Sequence, residues 1–212
     1  MIVAIDGPAG SGKGSVAKAL SEKLNLVNID TGATYRCLAL KSIENNITDE
    51  QGIIELSKNL DVKFDNGKVL LDGIDVTHKI REKEVTKIVS PISSIVEVRK
   101  NMVELQRKMA NSSDVVLEGR DITTVVFPNA DYKFYLDASL EERVNRRIKQ
   151  NKELNVEMDP KEVYNNMSAR DYNDMHKEVG ALKRTDDQIY IDSTNMTKEE
   201  VINKMISYIK GE

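Results

Sequence analysis

Tryptophan is absent from this 212-residue chain, cysteine occurs once, histidine twice and proline four times. A lone cysteine, Cys37, excludes an internal disulfide framework and suits a reducing compartment. With only His78 and His176, the chain is poor in the side chain that most often serves as general base or zinc ligand, and both are expected at the surface. No run approaches the ~20 apolar residues that a membrane span needs. Nor do the first residues resemble a signal peptide, because they are strand-like and lead straight into a glycine loop. Charge of one sign is also lacking: 31 Lys and Arg face 35 Asp and Glu, a formal net charge of -4. That balance argues against a protein held chiefly by nucleic acid or a membrane surface. The expectation is a cytoplasmic globular protein and, most simply, a monomer.

What is present alternates. Ile2-Val3-Ala4-Ile5 is a β-branched run ending at a glycine turn, and Val16, Ala17, Leu20 and Leu24 follow at helical spacing. Leu26 to Ile29 reads as a second strand, followed by a helix bearing Tyr35, Leu38, Ala39 and Ile43. From Val62 to Val76 the pattern becomes short strand pieces around Asn66-Gly67 and Asp72-Gly73, a hairpin signal. One long helix is expected from about Pro91 to Ala110. Strands resume at Val115–Glu118 and Tyr132–Leu136, with Ser139 and Glu142 as a capping box for the next helix. A polar stretch from Lys149 to Asp159 precedes a helix started by Asp159-Pro160. Ile189-Tyr190-Ile191 and a helix capped by Thr197 and Glu200 close the chain. The expected fold is α/β: a doubly wound parallel sheet with helices on both faces, a small antiparallel β insert and a helical lid.

The strongest motif is Gly7-Pro8-Ala9-Gly10-Ser11-Gly12-Lys13, a G-x-x-x-x-G-K loop between a strand and a helix. Its glycines let backbone N–H groups surround phosphate oxygens, and Lys13 reaches the β- and γ-phosphates of a nucleotide as a point charge. Gly14 follows the lysine, and the hydroxyl residue comes one place later, at Ser15. Ser15 is therefore the candidate Mg²⁺ contact, through the metal itself, a metal-bound water or a phosphate.

Gly-Lys-Gly-Ser in that loop is similar to the nucleoside monophosphate kinases. Asp30-Thr31-Gly32-Ala33-Thr34-Tyr35-Arg36, Glu118-Gly119-Arg120-Asp121, Thr124-Val125-Val126-Phe127-Pro128, and Glu142-Arg143 with Arg146-Arg147 together resemble the bacterial cytidylate kinases over nearly the whole chain. The resemblance implies transfer of the ATP γ-phosphoryl to CMP or dCMP, with Mg²⁺ as cofactor. It implies one domain divided into a core (about 1–35, 110–140 and 185–212), an acceptor region with the β insert (about 36–109) and a lid (about 141–184). Arg36 and Arg120 match arginines on the acceptor phosphate, and Ser90, Arg99 and Asp121 match a cytosine-binding set. Arg170 and Asp174 match positions on the sugar and phosphate, and Thr31 a hydroxyl beside the acceptor. Lys177 stands where the family usually has arginine, keeping the charge without the bidentate fork. Gly180-Ala181-Leu182 replaces a Ser-Pro-Leu pattern. Arg143 and Arg147 share a helix face and are expected, with Arg146 as the alternative, to reach the transferring phosphoryl.

The residue chemistry fits this reaction. The acceptor is already an anion, so cations matter more than a base. Two other readings fit the phosphate loop: a kinase for a hydroxyl acceptor, with Asp30 recruited as base, and a nucleotide-dependent switch. The chain has no Asn-Lys-x-Asp guanine signature.

Overall fold

The computed structural model describes residues 1–65, 67–111, 113–153 and 156–211. Five strands form an all-parallel sheet in the order β2 (Val27–Asp30), β6 (Val115–Gly119), β1 (Ile2–Asp6), β7 (Tyr132–Asp137), β8 (Ile189–Asp192). Strand alternation assigns the two faces. Val3, Ile5, Val116, Phe134 and Leu136 pack with α1 (Lys13–Leu24) and α8 (Lys198–Lys210). Ala4, Val115 and Leu117 turn the other way, towards Val103 of α5 (Val96–Ala110) and a π-helical turn at Ile122–Val126. Both faces are covered, as the expected doubly wound fold requires.

The carboxyl ends of three strands finish level with one another. Asp6 pairs in register with Gly119, and Asp30 with Glu118. The rim of a doubly wound sheet is where ligands bind, and here it carries three carboxylates and the phosphate loop.

The insert is a three-stranded antiparallel sheet, β3 (Val62–Asp65), β4 (Lys68–Leu71) and β5 (Ile74–Asp75). The Asn66 half of the expected Asn-Gly turn lies outside the described residues. The insert shares a core with α2 (Thr31–Glu44), α3 (Glu50–Lys58) and α4 (Lys83–Ile92). Helix α3 has no counterpart in the sequence reading; Asp49 caps it by accepting from Gly52 N–H at 2.8 Å.

The expected helix from Pro91 to Ala110 is two helices. Pro91 sits in the last turn of α4, and a break at residues 93–95 separates it from α5. Proline removes the donor that would reach Lys87 O, so the ladder is interrupted in this last turn and the helix ends one residue later. The capping box at Ser139 is half formed. Glu142 N–H donates to Ser139 Oγ at 3.2 Å, but the Glu142 carboxylate takes Arg146 Nε at 2.8 Å instead. Helix α6 (Leu140–Glu153) runs into the polar stretch, of which residues 154 and 155 lie outside the described set, and α7 (Pro160–Met175) packs on α6 through Val144, Val163 and Met167.

Candidate active site

A cleft of about 560 Å³ opens above the strand ends. Its lower wall is the phosphate loop. Gly7 permits the first turn: a Cβ there would collide with the Leu136 carbonyl oxygen. Gly12, at φ 97°, passes the chain into α1, whose first turn leaves backbone N–H groups without helical partners. Lys13 is 4% exposed and curls back over the loop, donating to Pro8 O at 2.8 Å and Ser11 Oγ at 3.4 Å. Burial, with Arg120 nearby, pushes its ammonium below the ordinary lysine value, against the pull of Glu118 and Asp6.

The opposite wall is cationic. Arg36 from α2 donates to Thr86 Oγ1 at 2.8 Å and Ile80 O at 3.2 Å. Arg120 follows β6 and donates Nε to Asp174 Oδ2 at 2.7 Å. Asp174 also holds Lys177 at 3.5 Å and Arg170 at 3.9 Å. Burial alone would raise the Asp174 carboxyl, but Arg120, Lys177 and Arg170 outweigh it and hold it below its usual range. Arg170 is pushed down to about 10 by burial and by Arg120, Arg36 and Arg147. Arg36 is lowered too, by burial and then by Arg81 and Arg147. Among the described residues, nine cationic side chains line the cleft (Lys13, Arg36, Arg81, Arg99, Arg120, Arg146, Arg147, Arg170, Lys177) against four carboxylates (Asp30, Glu118, Asp121, Asp174). In a chain of net charge -4, that local excess of positive charge is an anion site.

Above the arginines, Arg99 and Asp121 form a buried ion pair, with side chains 6% and 8% exposed. Arg99 Nη1 donates to Ser93 O at 3.1 Å, its guanidinium lies 5.7 Å from the Tyr35 ring centroid, and its Nε has no hydrogen-bond partner among the described residues. Thr31 lines the cleft floor, its hydroxyl donating to Glu118 O at 2.7 Å.

Two expected residues lie elsewhere. Ser90 is exposed, and its carbonyl accepts from the Ser93 and Ser94 hydroxyls; Ser93 lines the cleft in its place, with Lys177 Nζ at 3.4 Å from its Oγ. Ser90 lies inside α4 on its exposed side, and Ser93 opens the break between α4 and α5. Arg143 is buried beneath the phosphate loop, where Nη1 bonds Ala9 O at 3.0 Å and Asp171 Oδ2 at 2.7 Å while Nε bonds Ala138 O at 2.9 Å. It braces the loop and does not line the cleft. Arg146 braces the same loop through Ser11 O at 3.3 Å and Ser193 O at 2.7 Å. Of the three helix arginines, Arg147 is the one that lines the cleft without an ion pair among the described residues; its partner is Gln150 at 3.2 Å.

The structure adds Arg81 and Glu118, to which the sequence reading gave no part in the site, and gives Asp30 a part other than that of a base. Arg81, from a 3₁₀ turn at Lys79–Arg81, reaches Asp30 at 3.3 Å. Asp30 itself caps α2, accepting from Ala33 N–H at 2.9 Å. Glu118 faces Asp30, and burial together with that charge raises its carboxyl, against Lys13 and Arg120. Asp30 and Glu118 begin two of the quoted motifs, which was the available signal; Arg81 had none.

The Cytidylate kinase family model matches residues 3–211. Cytidylate kinases of Fusobacterium nucleatum and Desulforamulus reducens are 47% and 44% identical to this chain, covering 96% and 98% of it and 94% and 96% of their own lengths. Among solved structures, TT1252 from Thermus thermophilus covers the whole chain and 96% of its own at TM-score 0.51 and 20% identity. An uncharacterized protein from Eubacterium ventriosum covers the whole chain and 99% of its own at TM-score 0.54 and 16% identity. Those two likenesses concern the fold. The full-length match in sequence goes further: the chain belongs to the cytidylate kinase family.

Proposed function

We propose that this cleft holds ATP and CMP or dCMP end to end and passes the γ-phosphoryl in line to the acceptor phosphate, giving ADP and CDP or dCDP. Family membership makes the chain an ATP-dependent (d)CMP kinase. The observation that carries the geometric reading is the convergence of Arg36, Arg120, Arg147 and Arg170 on one cleft with Lys13 and the phosphate loop. Cations that repel one another in the empty protein are relieved by two bound polyanions.

On this reading the phosphate loop and Lys13 hold the donor phosphates, and Arg36, Arg120 and Arg170 hold the acceptor phosphate. Arg147 would meet the transferring group, and Asp174 joins the lid's Arg170 and Lys177 to Arg120 of the core. The acceptor oxygen is already anionic, so no side chain need remove a proton. Asp30, the base a hydroxyl acceptor would need, is committed to Ala33 N–H and Arg81, which counts against that alternative. Cytosine offers an exocyclic amine to a carboxylate such as Asp121 and ring acceptors to Arg99, whose Nε is unpaired. Uracil reverses that edge and leaves the same groups badly matched.

The oxygen donors at the rim fit Mg²⁺. Asp30 and Glu118 are neighbours in register at the strand ends, with Ser15 on the same wall, and a hard cation that keeps its waters needs no more. Ser15, Asp30 and Glu118 would hold it, directly or through water, and it would supply charge neutralisation between the phosphates. Among the described residues no group of three or more His, Cys, Asp or Glu forms a dedicated cage, and no helix is long and apolar enough to cross a membrane. We place the enzyme in the cytoplasm as a monomer acting on small nucleotides, with residues 141–184 closing as a lid that excludes water.

An analogue joining adenosine to cytidine through a polyphosphate should bind at least ~100-fold more tightly than ATP alone, because one molecule fills both halves of the cleft. Affinity no better than that of ATP would contradict the end-to-end arrangement.

A further inference from the structure

The turn that carries Arg120 and Asp121 is held from beneath by side chains outside the cleft. Asp6, the last residue of β1, has no exposed surface. Its Oδ1 accepts from Ile122 N–H at 2.9 Å, and its Oδ2 from Thr123 N–H at 2.8 Å and the Thr123 hydroxyl at 2.6 Å. Thr123 Oγ1 in turn accepts from Gln188 Nε2 at 2.5 Å, and Gln188 Oε1 accepts from Thr185 N–H at 2.8 Å. Thr123 and Gln188 are buried, at 2% and 8% exposure.

The polarity of this relay is fixed. A carboxylate cannot donate and an amide nitrogen cannot accept, so the single Thr123 proton points to Asp6 and its lone pair to Gln188. Three separate segments therefore meet at one hydroxyl. They are the strand that feeds the phosphate loop, the turn after the Gly-Arg-Asp motif, and the strap that returns from α7 to β8. The same strap presses Gly180 against Arg99 and Asp121, and its Leu182 N–H donates to Asp174 O at 2.8 Å.

We infer that Thr123 and Gln188 are positioning residues for the acceptor nucleotide: their hydrogen bond sets the Arg120–Asp121 turn against the strap and against Asp6. The inference rests on the cleft being a (d)CMP kinase site. The donor side has its own supports, since Arg143 and Arg146 hold the loop carbonyls of Ala9 and Ser11 independently of the relay. Loosening Thr123 thus displaces the acceptor groups and spares the ATP groups.

The test is steady-state kinetics on Thr123→Val, Thr123→Ser and Gln188→Leu, varying each substrate. Thr123→Val should raise KM for CMP about tenfold and leave KM for ATP within about twofold. Thr123→Ser keeps the hydroxyl and should restore the parent value. Gln188→Leu should move KM for CMP in the same direction by a smaller factor. Because the two residues share one bond, the Thr123→Val/Gln188→Leu double variant should be no worse than Thr123→Val alone. A merely structural role would lower the melting temperature and leave both KM values unchanged, or raise them together, and either result overturns the inference. Gln188, at the edge of the relay, carries the same test if Thr123→Val does not fold. A parent protein that fails to phosphorylate CMP refutes the functional reading itself; a competent parent with unshifted variants refutes the relay alone.

Discussion

Asp121 is paired with Arg99 beneath the backbone of Gly180, where a Cβ would collide with the Arg99 guanidinium. Gly180 adopts φ 70°, a conformation that favours glycine, so the strap can lie directly on the pair. The two groups assigned to reading the base are thus fixed by each other and by the return from the lid.

Asp121→Asn keeps the shape and removes the charge. It should raise KM for CMP at least ~10-fold while KM for ATP stays within about twofold. Equal losses for both substrates would mean that the pair supports the fold and does not read the base.

Lys13 is a buried cation among other cations, so it opposes folding while it serves the reaction. Lys13→Met should lower kcat by at least ~100-fold yet leave the nucleotide-free melting temperature equal to or above that of the parent. The pH dependence has a definite sign. A lysine held below its ordinary value is protonated in the unfolded chain and less so in the folded one, so stability rises with pH in that window. Between about pH 7.5 and about pH 9, the parent's melting temperature should rise relative to that of Lys13→Met. Parallel curves would contradict the desolvated ammonium.

Arg143 and Arg147 lie one turn apart and should fail differently. Arg143→Ala leaves Asp171 buried without its cation and should destabilise the protein by about 3 kcal/mol, read by denaturant unfolding. Arg147→Ala should leave stability unchanged to within about 0.5 kcal/mol and reduce kcat, since its side chain has no ion pair to lose among the described residues. The reverse pattern would exchange their roles.

Lys177 holds Asp174 at 3.5 Å with a single ammonium. Lys177→Arg offers a planar fork and should lower KM for CMP by a few-fold, about 2 to 5, with KM for ATP unchanged. A rise in KM for CMP would show that the cleft has no room for the longer group.

Much of this was legible because period and punctuation coincide with structure. The five parallel strands, the phosphate loop and the hairpin insert each have a local signal: a β-branched run, a glycine turn, an Asn-Gly pair. The errors come where tertiary contacts decide. Pro91 reads as a helix start, yet it ends α4, because Ile92 and Val98 are both buried in the insert's core and the chain must bend between them. Ser93, at the start of that bend, lines the cleft, while Ser90 stays on the exposed side of α4. The heptad-like spacing of Arg143 and Arg147 shows a shared face, but not that α7 would supply Asp171 to capture the first of them. Arg81 and the Asp6–Thr123–Gln188 relay depend on segments more than 50 residues apart in the sequence, a distance that no local pattern records.

The central claim is that this cleft phosphorylates a cytidine monophosphate. Turnover with Mg·ATP should be measured against CMP, dCMP, UMP, AMP and a hydroxyl acceptor such as shikimate, following ADP release and identifying the product. The account predicts CDP and dCDP, with kcat/KM for CMP at least ~100-fold above that for UMP and no transfer to the hydroxyl acceptor. Preferred transfer to a hydroxyl, or nucleotide hydrolysis without a phosphorylated acceptor, would contradict it.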